Sequence, residues 1–294
     1  MHSMLRACRL CFLSILVSNP SCGSHRTQSL NNEPAKASPT PQVLTQITPQ
    51  KPVQARSIDK EWKNGFTFKT HSISEKHDGY CPYELSAEYP EAVSDNIAVK
   101  RFNRWIKKRV RGDVARFRRL EVRAEPRAQR ERRRSITEGL EITFVLYYSD
   151  TRLISFRLTH RVMAAGQMHP INYYETINYE LRRQRPLCAL DLFRRGYLKV
   201  FSEYSRRWLT ETYQIPNENW FIEGTAPRIR NYHNWNIVPD GILISFEDYQ
   251  VSSHSFGQPE LIVPYHKLLK VLRRSPLTRR LRRPQTLGRP VQPS

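Results

Sequence analysis

Two stretches of alternating apolar and polar residues dominate the middle of the chain and predict a pair of β-strands. The first stretch puts five residues on one side of an extended strand: Ile154, Phe156, Leu158, His160 and Val162. The second stretch does the same for Ile171, Tyr173, Ile177, Tyr179 and Leu181. A period of two is the repeat of a strand with one buried face. Gly166 and the His169-Pro170 pair lie between the two stretches and favour a hairpin connection.

Similar patterns predict strands on both sides of this pair. Leu140 to Tyr148 is a strand by the same criterion, and the turn at 149–152 would join it to the first stretch as an antiparallel meander. Shorter alternations predict strands near residues 66–69, 83–87, 235–237, 242–246 and 261–263. Pro239-Asp240-Gly241 is typical of a hairpin turn between two of these strands.

Apolar residues at spacings of three and four predict the helices. Ser94 or Asp95 is the expected N-cap of a helix whose buried stripe is Ile97, Phe102, Ile106, Val110 and Phe117. Gly112 lies inside that helix and weakens it. A second helix over 196–213 would bury Leu198, Phe201, Trp208 and Leu209, and a third would run from Tyr265 to Leu272. The predicted fold class is α+β: an antiparallel sheet with packed helices, preceded by a small β-α subdomain.

Five segments follow from the changes in composition. Residues 1–23 have the order of a secretory signal, with Arg6 and Arg9 before an apolar run, and Cys22 before Gly23-Ser24 is a candidate for bacterial lipidation. Residues 24–58 form a linker rich in Pro, Gln, Ser and Thr that buries too little apolar surface to fold. The small subdomain and a basic loop take 59–135, the larger domain 136–274, and a basic disordered tail 275–294. The expected location is therefore secreted or periplasmic, with or without a lipid anchor.

The charge of the chain points to anionic partners. Lys and Arg number 48 against 27 Asp and Glu, for a formal net charge of +21 in 294 residues. Such a surface attracts anionic polymers, although arginine can also serve only to solvate exposed faces. The basic run at 123–134 contains no aromatic residue on which bases could stack, so we expect no specific nucleic-acid binding. Membrane contact would depend on a lipid anchor.

Export changes the interpretation of the cysteines. Cys81 and Cys188 both flank predicted strands, and in an oxidising compartment they are a candidate disulfide. The alternative is two buried thiols that pack as small apolar groups. The spacing of Cys and His is not typical of zinc, so no metal site is expected, and no sequence feature indicates a cofactor.

An ordered set of short motifs resembles the C-terminal extracytoplasmic domain shared by the RsiV anti-sigma factor and the PdaC-type polysaccharide deacetylases. The motifs are Gly166–Pro170, Asn172-Tyr173-Tyr174, Ile177-Asn178-Tyr179, Asp191-Leu192-Phe193, Asp240–Phe246, Asp248–Val251, Gly257-Gln258-Pro259 and Val263-Pro264-Tyr265. They lie within residues 136–270, and residues 62–120 resemble the small domain that often precedes that region. The resemblance implies a domain of unknown function that binds a ligand at the cell envelope. In the RsiV-like family the ligand is lysozyme.

Candidate site residues fall into two groups. His169, Asp191, Glu247, Asp248 and His254 carry acid-base groups, but no nucleophile elbow, phosphate loop or HExxH motif accompanies them, so none is assigned as catalytic. We expect His169 to lie in a turn and Asp191 to cap the helix that follows it. The candidate ligand-binding residues are His169, Tyr173, Tyr174, Trp235 and Tyr249, because exposed aromatic rings can stack on sugars or anchor a protein.

The expected function is non-catalytic binding or sensing at the bacterial cell envelope, with an envelope polysaccharide or a protein as the partner. Whether the chain is an enzyme is left open, with the balance of motifs against it. One alternative is a cell-wall polysaccharide hydrolase or deacetylase. The other is a protein that binds polyanions through charge alone.

Overall fold

The computed structural model describes residues 65–78, 82–120, 138–163, 169–213, 215, 219–253 and 257–281. The strands are β1 Thr67–His77, β2 Tyr83–Val93, β3 Glu138–Ser149, β4 Leu153–Met163, β5 Ile171–Glu180, β6 Arg185–Pro186, β7 Trp235–Val238, β8 Gly241–Ser245 and β9 Glu260–Pro264. The helices are α1 Ile97–Leu120, α2 Ala189–Leu192, α3 Tyr197–Tyr213, α4 Asn219–Gly224, α5 Tyr265–Leu268 and α6 Pro276–Leu281, and a 3₁₀ turn spans Ile229–Asn231.

The first six strands form one sheet in the order β1-β2-β3-β4-β5-β6. All neighbours are antiparallel except β2 and β3, which run parallel and have α1 between them in the chain. The predicted meander of β3, β4 and β5 is confirmed, and so is the α+β class. However, the boundary predicted at residue 136 falls between two paired strands. The segment interpreted as a separate small subdomain therefore contributes β1 and β2 to the same sheet as the larger domain.

Helix α1 covers one face of this sheet and forms the first core. Phe102, Ile106, Val110 and Phe117 are buried as the spacing predicts, whereas Ile97 is 60% exposed at the first turn. The N-cap is Asn96 rather than Ser94 or Asp95, since the Asn96 side chain accepts a 2.8 Å hydrogen bond from the Ala98 N–H. Gly112 does not interrupt the helix.

The second core lies on the other face, where the three-stranded sheet β7-β8-β9 and α3 pack. The hairpin predicted at Pro239-Asp240 and the strand at 261–263 are both confirmed. One expectation is wrong in an informative way. We predicted one buried face for β4, but its first six residues are all buried, because the second sheet covers the face that the sequence pattern assigns to solvent.

Two predictions for the C-terminal part of the chain differ from the structure. The helix predicted to reach Leu272 ends at Leu268, although Leu272 stays buried. The tail expected to be disordered from residue 275 begins instead with α6, in which Thr278 and Leu281 are buried against the second core. None of the described helices has the length and apolar character needed to cross a membrane.

Candidate functional site

The predicted ligand-binding aromatics do not share one surface. Tyr173 and Tyr174 are neighbours on β5 and so point to opposite faces of the sheet. Tyr173 stacks on His160 beneath α1, with ring centroids 4.6 Å apart. Tyr174 lies over the guanidinium of Arg157, 4.0 Å from its ring centroid, and its hydroxyl bonds the Gln258 side chain. Both rings are only partly exposed and are already occupied by protein partners.

Trp235, Tyr249 and His169 differ in their exposure. Trp235 is only 5% exposed and packs edge-on against Phe193 in the second core, so the expectation that it stacks a ligand is wrong. Tyr249 is 63% exposed and has a φ of 61°, a left-handed conformation that is rare for a bulky residue. His169 is exposed next to β5. We find no arrangement that joins these three residues into a single site.

The cysteine predictions lie partly outside the described residues. Cys22 and Cys81 are both outside them, and Cys188 is an exposed thiol before α2. Because Cys81 lies outside the described residues, the Cys81–Cys188 disulfide stays a prediction.

Two of the candidate acid-base residues have structural partners. Asp191 is the third residue of α2 and accepts a 2.8 Å hydrogen bond from the Cys188 N–H, so it caps the helix that contains it rather than a helix that follows it. Glu247 lies 3.4 Å from His233 Nε2, and this contact raises the pKa of His233 and lowers the pKa of Glu247. His233 Nδ1 lies 2.6 Å from the Arg230 carbonyl, so both ring nitrogens are engaged. His254 lies outside the described residues.

Two adjoining cavities form a concave surface that we call the arginine groove. The first cavity, about 340 Å³, is lined by Arg183, Leu190, Asp191, Arg194, Arg273, Arg274 and Ser275. The second, about 320 Å³, is lined by Arg152, Glu180, Arg182, Arg183, Asp191, Ser275, Pro276 and Leu277. Six arginines and two acids therefore surround the groove. They come from three regions far apart in sequence: the β3–β4 turn, the segment from the end of β5 through α2, and the approach to α6.

Hydrogen bonds fix the floor of the groove. Arg185 donates to both oxygens of Asp191 at 2.6 and 2.9 Å, and Arg183 donates to it at 3.4 Å. Burial opposes the Asp191 charge, but the hydrogen bonds from Arg185 and the Cys188 N–H outweigh it and lower the pKa of Asp191 to about 2. Arg273 Nε donates to the carbonyls of Leu190 and Phe193, which ties the segment before α6 to α2.

The rim of the groove carries cations without anions. The exposed guanidinium groups of Arg152, Arg182, Arg194 and Arg274 form no ion pair within the described part of the chain. A planar guanidinium with unused donors is the side chain best suited to bind carboxylate or phosphate in two-point fashion. Sequence reasoning missed this site, although the doublets Arg182-Arg183 and Arg273-Arg274 were a usable signal.

A separate polar cluster lies under α1, where no metal or polar site was expected. Asp113 of α1, His160 of β4 and Glu175 of β5 each offer a ligand atom, and these atoms lie within 4.8 Å of one another. Arg109 of α1 donates to both oxygens of Glu175 at 2.7 and 2.9 Å and to Asp113 Oδ1 at 3.0 Å. The three residues come from distant parts of the chain, so no spacing rule could have found them.

Comparison with known proteins identifies one family match. Residues 190–266 match the sequence profile of a family described as "Protein of unknown function (DUF3298)". Over 111 residues, 37% of this chain, the sequence is 27% identical to "Peptidoglycan-N-acetylmuramic acid deacetylase PdaC" of Bacillus subtilis (strain 168). The chain spans 24% of the length of that curated relative. The profile match covers Asp191 and Arg194 of the arginine groove.

Two solved structures match this chain over most of its length. A DUF3298 family member from Bacteroides fragilis NCTC 9343 matches with a TM-score of 0.53 at 17% identity, over 74% of this chain and 99% of that one. A DUF3298 family protein from Pseudomonas aeruginosa PAO1 gives a TM-score of 0.44 at 14% identity, over 74% and 97% of the two chains. The first match supports the α+β fold. The narrower resemblance to RsiV stays a prediction.

Proposed function

We propose that this protein is a non-catalytic binding protein of the bacterial cell envelope that holds an anionic polymer in the arginine groove. The observation that carries the proposal is a set of four guanidinium groups that surround two joined cavities and form no ion pair with any residue the structure describes. Each cavity has two of them, Arg194 and Arg274 in the first and Arg152 and Arg182 in the second. Two adjoining cationic cavities suit a polymer with a negative charge on each repeating unit, because neighbouring units can then each form an ion pair with the arginines of one cavity.

The comparisons favour an acidic glycan as that polymer. The relative PdaC is named for a sugar acid of peptidoglycan, and its partial likeness to this chain makes a carboxylate-bearing wall polymer the natural first candidate. The resemblance to RsiV supports a sensing role without chemistry. A secreted or periplasmic location, with or without lipidation at Cys22, would bring the groove to such a polymer.

Deacetylation or hydrolysis of the polymer is the competing function. It needs a general acid or base that changes protonation near neutral pH. Asp191, the acid that both cavities share, is poorly suited to that role, because its hydrogen bonds lower its pKa to about 2 and it stays ionised. The other acid of the groove, Glu180, forms an ion pair with Arg183 at 3.4 Å. The geometry of the groove thus favours holding an anion over transforming it.

Co-sedimentation with purified peptidoglycan tests the proposal, with the full chain at low and at moderate salt. The groove variant replaces the four unpaired arginines by glutamine: Arg152→Gln, Arg182→Gln, Arg194→Gln and Arg274→Gln. A control variant removes the same charge from the exposed face of α1: Arg104→Gln, Lys107→Gln, Lys108→Gln and Arg111→Gln. All eight side chains are exposed, so both variants should fold.

We expect the groove variant to bind at least about tenfold more weakly than wild type, and the control to stay within about threefold. Equal losses in the two variants would show that binding depends on net charge alone. Unchanged binding in the groove variant would overturn the proposal. Release of acetate or of sugar fragments from the polymer by wild type would replace it with the enzymatic alternative.

A further inference from the structure

The polar cluster under α1 has the composition of a metal site. His160 is 1% exposed, the Asp113 side chain is 6% exposed and the Glu175 side chain 18%. One imidazole and two carboxylates form a mixed nitrogen and oxygen donor set, which suits divalent transition metals such as Zn²⁺. Three protein ligands leave further coordination positions for water. The remaining exposure of Glu175 offers an entry path.

Three buried polar atoms in this cluster have no hydrogen-bond partner in the described part of the chain. They are Asp113 Oδ2, His160 Nδ1 and His160 Nε2. His160 Nε2 lies 3.6 Å from Glu175 Oε2, which is too long for a hydrogen bond, so the contact between them is electrostatic. A buried polar group without a partner costs free energy, and nearly all such groups in folded proteins are satisfied by protein, water or an ion. Asp113 Oδ2 and one of the two His160 ring nitrogens would face a shared ligand, since an imidazole presents only one nitrogen to a given ion.

Arg109 acts on this cluster in two opposing ways. Its bonds to Glu175 and to Asp113 Oδ1 orient both carboxylates and leave Asp113 Oδ2 open, as the outer partners of metal ligands commonly do. Burial disfavours the Glu175 charge, yet His160 and Arg109 outweigh it and hold the pKa of Glu175 below its ordinary value. In contrast, the guanidinium charge repels a second cation. Arg116, 3.2 Å from Asp113 Oδ1, adds to this repulsion, so any metal affinity must be modest.

We propose that Asp113, His160 and Glu175 bind one divalent transition-metal ion, which joins α1 to β4 and β5. The site is independent of the arginine groove. His160 and Glu175 lie near the Met163 end of the β4–β5 pair, whereas the groove lies at the opposite end, beside the pair of Leu153 and Glu180. A bound ion would stabilise the folded protein in proportion to its concentration, since the unfolded chain does not hold the three ligands together.

Calorimetric titration of Zn²⁺ into the metal-free full chain, with Mg²⁺ as a comparison, tests the site. We expect one equivalent of Zn²⁺ to bind, Mg²⁺ to bind much more weakly, and Zn²⁺ to raise the unfolding temperature. His160→Gln should weaken binding at least about tenfold. The matched control His169→Gln, the same change at an exposed position, should leave binding unaltered.

A measurement without substitutions covers the case in which the variants do not fold. With ¹⁵N-labelled histidine, Zn²⁺ should shift the ring signals of His160 at one equivalent, before those of His71 and His77. If the ring of His160 does not respond, the proposal is wrong and the cluster is a buried ion-pair network. The same conclusion follows if His160→Gln folds and binds Zn²⁺ as wild type does.

Discussion

Asp191 shows how much local order one side chain can organise. Its carboxylate receives the Cys188 N–H at the start of α2 and two hydrogen bonds from Arg185 in β6. It therefore joins the β5–β6 turn to the helix and forms the floor of the arginine groove. Burial alone would raise its pKa, but these donors outweigh burial, so the carboxylate is charged in the folded protein down to a pH of about 2.

Asp191→Asn should destabilise the protein by about 2 kcal/mol at pH 7, because the charged hydrogen bonds are lost. The folded-state pKa is depressed below the unfolded value of about 3.9. The contribution of the Asp191 carboxylate to the free energy of unfolding is therefore present above pH 4 and is lost as the pH falls through about 2. Urea unfolding of both proteins from pH 2 to pH 7 measures this difference. A constant gap between wild type and variant across that range would contradict the assignment.

At the scale of secondary-structure elements, two glycines differ in the space that the structure leaves for a side chain. Gly241 begins β8, and a Cβ atom there would lie 2.3 Å from the carbonyl oxygen of Val263 on β9. That oxygen belongs to the backbone of a paired strand, which cannot move aside without breaking the ladder. Gly112 lies in the interior of α1 at an exposed position, where a Cβ atom would meet nothing within 4 Å. The same substitution should therefore have opposite effects.

Gly241→Ala should lower the free energy of unfolding by about 1–3 kcal/mol, through overpacking between β8 and β9. Gly112→Ala should raise it by about 1 kcal/mol, since alanine has the higher helix propensity and fits without contact. Chemical denaturation of both variants against wild type provides the measurement. A destabilising Gly112→Ala would mean that α1 is strained at this point.

At the scale of the whole molecule, a buried polar network joins the two sheets. Asn178 of β5 accepts a 2.8 Å hydrogen bond from the Ile237 N–H and donates a 2.9 Å bond to the Trp235 carbonyl, both in β7. Its side chain thus takes the place of a neighbouring strand for β7. Asn236 of β7 reciprocates by donating to Ser155 and to the Phe156 carbonyl of β4. These contacts set the alignment of one sheet on the other.

Asn178→Ala should destabilise the protein by about 3 kcal/mol, since it leaves a buried N–H and a buried carbonyl of β7 without partners. Asn172→Ala is the matched control on the same strand, because Asn172 is half-buried and far from β7; we expect an effect of about 0.5 kcal/mol. Urea unfolding monitored by tryptophan fluorescence compares the free energies of unfolding of the two variants. Equal effects would show that the network does not hold the sheets together.

Local patterns were sufficient to predict most elements. Alternation located β3, β4 and β5 and their meander, the Pro239-Asp240 turn located the β7–β8 hairpin, and the buried Phe201 and Leu209 of α3 followed from helical spacing. These predictions succeeded because the period of a strand or helix and the chemistry of a turn depend on residues close in sequence. The cap of α1 was misplaced by one or two residues, since Ser94, Asp95 and Asn96 all have suitable side chains.

The tertiary structure alone decided which polar residues are buried and which of them meet. Arg157 and Asn178 have the sequence pattern of solvent-facing residues, yet both are buried because the second sheet covers their face. The arginine groove combines three regions far apart in sequence, and the Asp113, His160 and Glu175 cluster combines one helix and two strands. The sequence by itself determined the elements, their periodic faces and the excess of positive charge. Contacts between distant segments depend on how sheets and helices pack, and no local periodicity contains that information.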